Sequence, residues 1–240
     1  MTSLSIKQKA QQYVVLSGMA LFIGLLVGAI DMIFGQGLLL IGDFRSQHWP
    51  LILFLAIAGL VIVYLYKRFG GKASKGMGLI FEVGHAREEK IPLVLVPLIM
   101  LTTWMSHLFG GSVGREGVAV QIGATLSHRF ARHIKIPYAS RIFLMTGMAA
   151  GFAGLFQTPL AATFFALEVL TVGELQLMAL YPALIASIVA SFTSHALGLE
   201  KFAVPLRETL SWTPETLIKV ALLGLAFGLA GKLFAVSLSW

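Results

Sequence analysis

The sequence predicts an all-α, polytopic membrane protein with broken and re-entrant helices, and three observations predict it. Of the 240 residues, 57% are hydrophobic and only 12% are charged, about half the charge of a soluble domain. The mean hydropathy is +0.85. The apolar residues also fall into long uncharged runs rather than amphipathic stripes, the pattern of a chain whose solvent is lipid. In water this composition would expose far more apolar surface than a soluble protein tolerates.

The formal net charge is +7 and there is no Cys. Disulfides, thiolate metal sites and thiol nucleophiles are therefore excluded. Lys and Arg sit mostly in loops, so the positive balance bears on membrane orientation and not on nucleic acid. The N-terminal residues 1–9 are short and mildly basic. The apolar run behind them is too long for a signal-peptide core and lacks a small-residue cleavage site, so it is read as a retained membrane helix.

Residues 13–30 form the first run, about 18 residues or roughly 27 Å of helix. Gly24 and Gly28 lie four apart and offer a small face for helix packing. Residues 31–49, with Gly35, Gly37 and Gly42, read as a connection. Residues 50–66 form the second run, closed by Lys67 and Arg68, with Tyr64 and Tyr66 at the level of an aromatic belt. Lys7 and Lys9 at one end of this hairpin, and Lys67, Arg68, Lys72 and Lys75 at the other, place both ends on the basic side. The positive-inside rule makes that side, and the N-terminus, cytoplasmic.

Residues 76–81, Gly-Met-Gly-Leu-Ile-Phe, are too few to span. They are a surface turn or the tip of a re-entrant helix. Residues 91–109 are the third run, uncharged, with Pro97 expected to kink it. The stretch 110–121, Gly-Gly-Ser-Val-Gly-Arg-Glu-Gly-Val-Ala-Val-Gln, then breaks the chain and opens a helix ending near Ser127. That helix is too short to cross, so it starts at depth, where irregular backbone is allowed only beside a cavity or inside protein. Residues 142–156 make a small-residue-rich fourth span that stops at Gln157. Thr158-Pro159 starts a further helix, with Pro in its first turn, that runs to Glu168. Residues 175–199 form another run, interrupted by Pro182. Residues 198–212 are a mixed loop, and Thr213-Pro214-Glu215 starts a last helix toward Trp240. No linker between domains is visible.

The chemistry gathers at residues 110–121. A helix N-terminus carries unpaired N–H groups and about half a positive charge. At bilayer depth it is an anion site that requires no fixed cation. Gly114 and Gly117 allow backbone amides to approach an ion closely, and the tip at Gly76-Met77-Gly78 can supply a second terminus of the same kind. Glu116 alone is a first-turn acid that suits the helix dipole. Between uncharged runs it is read instead as a functional group, because ionisable residues inside membrane segments are costly and mark ion or proton pathways. Its carboxylate can occupy the site as a tethered anion and leave on protonation, which would exchange a proton for an anion. Arg115 is equally well a snorkelling or ion-pairing residue, and Met77 a packing residue. His107 and His195 are read as packing or hydrogen-bonding residues, and Glu168 as a loop or interface acid. A phosphate-cradling loop would end in Gly-Lys-Ser/Thr, and a dinucleotide fold would need flanking strands; neither is present. No metal site, nucleophile–base pair or cofactor is called for, so no enzyme is expected.

These residues resemble the CLC family of chloride channels and proton-coupled anion transporters. Gly114-Arg115-Glu116-Gly117-Val118 is similar to the family's GREGP motif, followed by a matching Val120-Gln121-Ile122-Gly123. Met148-Ala149-Ala150-Gly151-Phe152-Ala153, then Pro159-Leu160-Ala161 and Phe165-Ala166-Leu167-Glu168, resemble the segments that follow it. Gly76-Met77-Gly78-Leu79-Ile80 resembles GSGIP. The resemblance spans about residues 50–200. It implies that Glu116 is the gating and proton-carrying glutamate. It also implies that Gly76, Met77, Gly78, Leu79, Gly114, Arg115, Gly117 and Val118 surround the anion, and that the protein works as a homodimer with one pathway per subunit.

Met77 in place of serine and Val118 in place of proline resemble the fluoride/proton antiporter branch. So does Val169, where many chloride/proton exchangers carry a second proton glutamate. The family is built from two inverted repeats. Residues 13–212 resemble the first, residues 213–240 the start of the connection, and the GxFxP motif of the second is absent. The function implied is fluoride export coupled to proton entry, with fluoride or chloride, protons and the lipid bilayer as partners, in a bacterial inner membrane. A chloride/proton antiporter or a voltage-gated-type chloride channel is the alternative within the class. A non-transporting membrane half-subunit or fragment is the alternative outside it.

Overall fold

The structure is a computed structural model that describes residues 6–134, 136–171, 173–201 and 211–238. Every regular element among the described residues is helical. The α-helices are α1 (Ile6–Gln47), α2 (Leu55–Leu65), α3 (Met77–Gly84), α4 (Leu95–Leu108), α5 (Glu116–Ala131), α6 (Ala139–Phe156), α7 (Pro159–Glu168), α8 (Leu180–Ala196) and α9 (Pro214–Leu238). Five helical stretches are long and apolar enough to cross a membrane. The protein is thus the all-helical integral membrane protein that its composition predicts. The chain divides into two compact units, Met1–Lys201 and Phe202–Trp240.

The first correction concerns residues 31–49. Residues 31–47 are no connection but the second part of α1, one helix of 42 residues. No proline interrupts residues 6–47, and two of the three glycines taken for turn signals, Gly35 and Gly37, are contact points, while a Cβ on Gly42 would meet nothing within 4 Å. A Cβ on Gly35 would lie 2.7 Å from Leu199 Cδ1, and one on Gly37 2.6 Å from Trp104 Cε2. Trp104 Nε1 also donates to the Phe34 carbonyl at 3.1 Å. Gly24 and Gly28 do the same against α8, where added Cβ atoms would lie 2.7 Å from Val189 Cβ and 2.6 Å from the Ala190 carbonyl. Asp31 therefore lies inside a membrane helix. It is fully buried against Gly154, and neither carboxylate oxygen has a hydrogen-bond partner.

Helix α6 is the centre of the first unit and packs against α1, α5, α7 and α8. Within its membrane-length window 78% is buried, against 6% for the stretch Trp49–Gly84 that includes α2 and α3. Its small residues explain this. A Cβ on Gly123 of α5 would collide with the Gly147 carbonyl of α6, and one on Gly151 with the Ala119 carbonyl. The two backbones touch because no side chain separates them. Ser127 of α5 also donates to the Phe143 carbonyl of α6.

Other boundaries move for local reasons. Helix α4 starts at Leu95, later than residue 91, so Pro97 sits in its first turn. Its missing N–H has no intrahelical partner there, and it makes no kink. Helix α5 runs past Ser127 to Ala131. His128 rides on its last turn, buried, with Nε2 3.1 Å from the Glu89 carbonyl and Nδ1 3.2 Å from Ser140 Oγ. Pro182 lies in the first turn of α8 and interrupts nothing. The predicted start of α7 at Thr158-Pro159 is observed. Of the mixed loop at 198–212, residues 202–210 lie outside the described residues. In the second unit, α9 starts as predicted. The Thr216 amide donates to Thr213 Oγ1 at 3.2 Å, and Glu215 pairs with Lys219 at 2.6 Å.

Candidate anion site

Two helix N-termini carry the residues of the candidate site. The chain enters α3 through a short 3₁₀ turn, Gly71–Lys75, and Gly76. Gly76 adopts φ 54° and ψ −127°, a conformation that only glycine takes without strain. The Leu79 amide donates to the Gly76 carbonyl at 3.1 Å, whereas the amides of Met77 and Gly78, as the first two of the helix, have no intrahelical carbonyl to receive them and carry the positive end of the helix dipole. Leu79 and Ile80 are fully buried and anchor the helix. Residues 76–81 are therefore a packed helix start and not a surface turn. Met77 is half-buried against the core. Gly78 is exposed, and a Cβ there would meet nothing within 4 Å, so open space lies before the helix start.

The second N-terminus follows α4. Gly110, at φ 77°, reverses the chain, and the Gly111 amide donates to the Ser106 carbonyl at 2.7 Å. Residues 111–114 then carry no regular structure. Arg115 caps α5; it is half-buried, with its guanidinium 5.5 Å from the centre of the Phe156 ring. Glu116 is the first residue of α5 and is exposed, its Oε2 folded over Gly114, where a Cβ would lie 2.8 Å from it. Gly117 is exposed and Val118 buried.

Gln121, which the motif includes without a role, joins the two termini. Gln121 sits one turn into α5 and is 6% exposed. Its Nε2 donates to the Gly117 carbonyl at 2.9 Å. Its Oε1 points at Gly76, 3.5 Å from where a Cβ would stand, and has no hydrogen-bond partner. The bond to Gly117 fixes the amide, because a flipped amide would set two carbonyl oxygens against each other. Gly76, Gly117 and Gln121 thus come together. Glu116 and Met77 are the first residues of α5 and α3. Gln121 was legible only as a polar residue in an apolar helix, a signal that does not say what it faces.

At the edge of this region Lys72 Nζ lies 2.7 Å from Glu88, and Lys75 Nζ 2.7 Å from Glu82. The hydrogen bond from Lys72 holds the Glu88 carboxyl below its ordinary range. His107 bonds its Nδ1 to the Thr103 carbonyl at 2.9 Å, a hydrogen-bonding residue as expected.

Residues 58–240 match the family model described as Voltage gated chloride channel. The chain is 35% identical over 216 residues to a "Chloride/fluoride channel protein" of Pseudomonas syringae pv. tomato, covering 90% of this chain and 48% of that protein. It is 30% identical over 193 residues to a "Voltage-gated ClC-type chloride channel ClcB" of Yersinia pseudotuberculosis, covering 78% of this chain and 46% of the relative. Among solved structures, a CLC-type fluoride/proton antiporter superposes with a TM-score of 0.86 at 46% identity, over 95% of this chain and 57% of the other. A slow cyanobacterial Cl⁻/H⁺ antiporter superposes at 0.71 with 23% identity, covering 90% and 54%; at that identity the likeness is one of fold. The chain spans about half the length of the relatives it matches.

Proposed function

The chain belongs to the voltage gated chloride channel (CLC) family, and we propose that it forms the first half of a fluoride/proton antiporter, exporting fluoride as protons enter. The single observation that carries this reading is Glu116, a carboxylate at the start of α5, the helix whose Gln121 reaches Gly76 at the start of α3. An anion and a carboxylate compete for the same positive helix ends. When the carboxylate takes a proton it loses its claim to the site, and the anion enters. Each anion moved in one direction is thereby linked to a proton moved in the other.

Three features support fluoride as the anion. Met77 stands at the start of α3 and offers no hydroxyl to a larger halide. The name of the Pseudomonas relative includes fluoride, and the 46% identical structure is that of a fluoride/proton antiporter. In this reading the amides of Met77, Gly78, Gly117 and Val118 surround the ion, while the Leu79 amide is taken by the Gly76 carbonyl. Gly76 and Gly114 leave room for it, and Arg115 sets the entry to α5. The working form is a homodimer in a bacterial inner membrane. Its N-terminus is cytoplasmic, on the side of Lys67, Arg68, Lys72 and Lys75.

The test is simultaneous recording of pH and fluoride in proteoliposomes that hold this half together with a second repeat. A fluoride gradient drives protons uphill in the unaltered protein, and Glu116→Gln abolishes that movement. Uphill proton transport at an unchanged rate in the Gln variant rules out Glu116 as the coupling group. Proton-coupled chloride flux without fluoride flux assigns the protein to the chloride/proton antiporters instead.

A further inference from the structure

Gln121 carries a feature that the exchange described above does not use. Its Oε1 is enclosed between α5 and Gly76 and has no partner. Its Nε2 is held by Gly117, so the amide cannot turn to present a donor there. A buried carbonyl oxygen left without a donor is destabilising by more than a made hydrogen bond stabilises, and such groups are few in folded proteins. Here the bare acceptor lies beside two helix N-termini, whose unpaired backbone groups are donors. A bare anion gains nothing from a carbonyl oxygen. A species that brings its own N–H, O–H or F–H does. The oxygen is enclosed, so only a donor about the size of water reaches it when the helix ends part slightly.

We propose that Gln121 is a specificity-determining residue. Its free carbonyl oxygen accepts a hydrogen bond from a small donor that arrives with the anion between the starts of α3 and α5, and this favours fluoride over larger halides. This rests on the fluoride reading above. Fluoride is the one halide that is the conjugate base of a weak acid, and it is the halide that holds its water most tightly. It can therefore arrive as hydrogen fluoride or with one hydration water, and both present the same donor to Oε1. Chloride does neither well. Of the charged groups on the two helices, Arg115 has its guanidinium against the Phe156 ring and Glu116 its carboxylate over Gly114 at the start of α5, and Glu82, in the second half of α3, is paired with Lys75.

The test compares initial fluoride and chloride efflux from proteoliposomes carrying this half with a second repeat, over mildly acid to mildly alkaline pH. The unaltered protein is measured beside Gln121→Leu and Gln121→Met. Both replacements suit a helix and lack the carbonyl, and Met keeps the length of the side chain, so one survives if the other does not fold. The expected result is a fluoride-to-chloride rate ratio lower by about tenfold, the scale of one hydrogen bond to a strongly polar partner. If hydrogen fluoride is the donor, the loss grows as pH falls; if hydration water is the donor, the loss is the same at every pH. An unchanged ratio overturns the proposal, and so does an equal fall in both fluxes, which assigns Gln121 a structural role alone. The unaltered protein separates the two levels. If it carries no fluoride, the fluoride reading fails; if it does and the ratio survives the substitutions, only the role of Gln121 fails.

Discussion

At the scale of the residue, Gly76 and Met77 offer the sharpest tests. Gly76 holds φ 54° and ψ −127° and faces Gln121 Oε1. Gly76→Ala places a Cβ in a backbone region that costs about 1–3 kcal/mol for any other residue, so thermal unfolding in detergent is expected to fall by a corresponding amount. Met77 is half-buried, with its backbone at the first turn of α3. A serine there adds a hydroxyl donor where the thioether has none. Met77→Ser is expected to shift the flux ratio from fluoride toward chloride in matched liposomes, and an unchanged ratio removes Met77 from selectivity.

At the scale of the element, the α5–α6 contact fixes where Glu116 stands. It rests on glycines that meet backbone to backbone, Gly123 against Gly147 and Gly151 against Ala119. Gly151→Ala is expected to destabilise the protein by about 1–3 kcal/mol, because an added methyl has no room and two rigid backbones must part. Gly18 of α1 is the control: a Cβ there meets nothing within 4 Å, so Gly18→Ala leaves stability unchanged or raises it, by up to about 1 kcal/mol. Equal melting shifts for the two variants would refute the close-packing account. The turn before α3 carries a pH signature as well. The Lys72 hydrogen bond lowers the folded-state titration of Glu88. Its stabilisation is therefore present above the unfolded carboxyl range and is lost as pH falls through the lowered one. Amide protection factors in residues 71–75, corrected for the intrinsic pH dependence of exchange, are expected to fall on acidification, and Lys72→Met is expected to abolish that fall.

At the scale of the whole molecule, the chain matches 57% of the length of the fluoride/proton antiporter structure. The described site consists of one wall, two helix starts with open space before Gly78. We expect the 240-residue chain alone to transport nothing, since half a site leaves polar backbone groups unpaired at several kcal/mol each in lipid. Rapid, saturable fluoride efflux from liposomes containing only residues 1–240 would overturn this.

The sequence by itself determined what depends on neighbours along the chain. Long uncharged runs fix a membrane protein. Prolines at 159 and 214 fix the starts of α7 and α9, because a residue without an N–H fits the first turn and no later one. The break at 110–115 was legible from its glycines, of which Gly110 takes a φ of 77°. Tertiary structure alone decided what depends on neighbours across space. Gly35 and Gly37 read equally as turn residues or as close-contact residues, and only Leu199 and Trp104 packed against them make α1 continuous. Residues 76–81 read equally as surface turn or buried tip, and only the burial of Leu79 and Ile80 settles that. Gln121 gained its meaning from Gly76, a residue far away in sequence. A glycine or an amide states what it can do, and the atoms packed against it state which of those things it does.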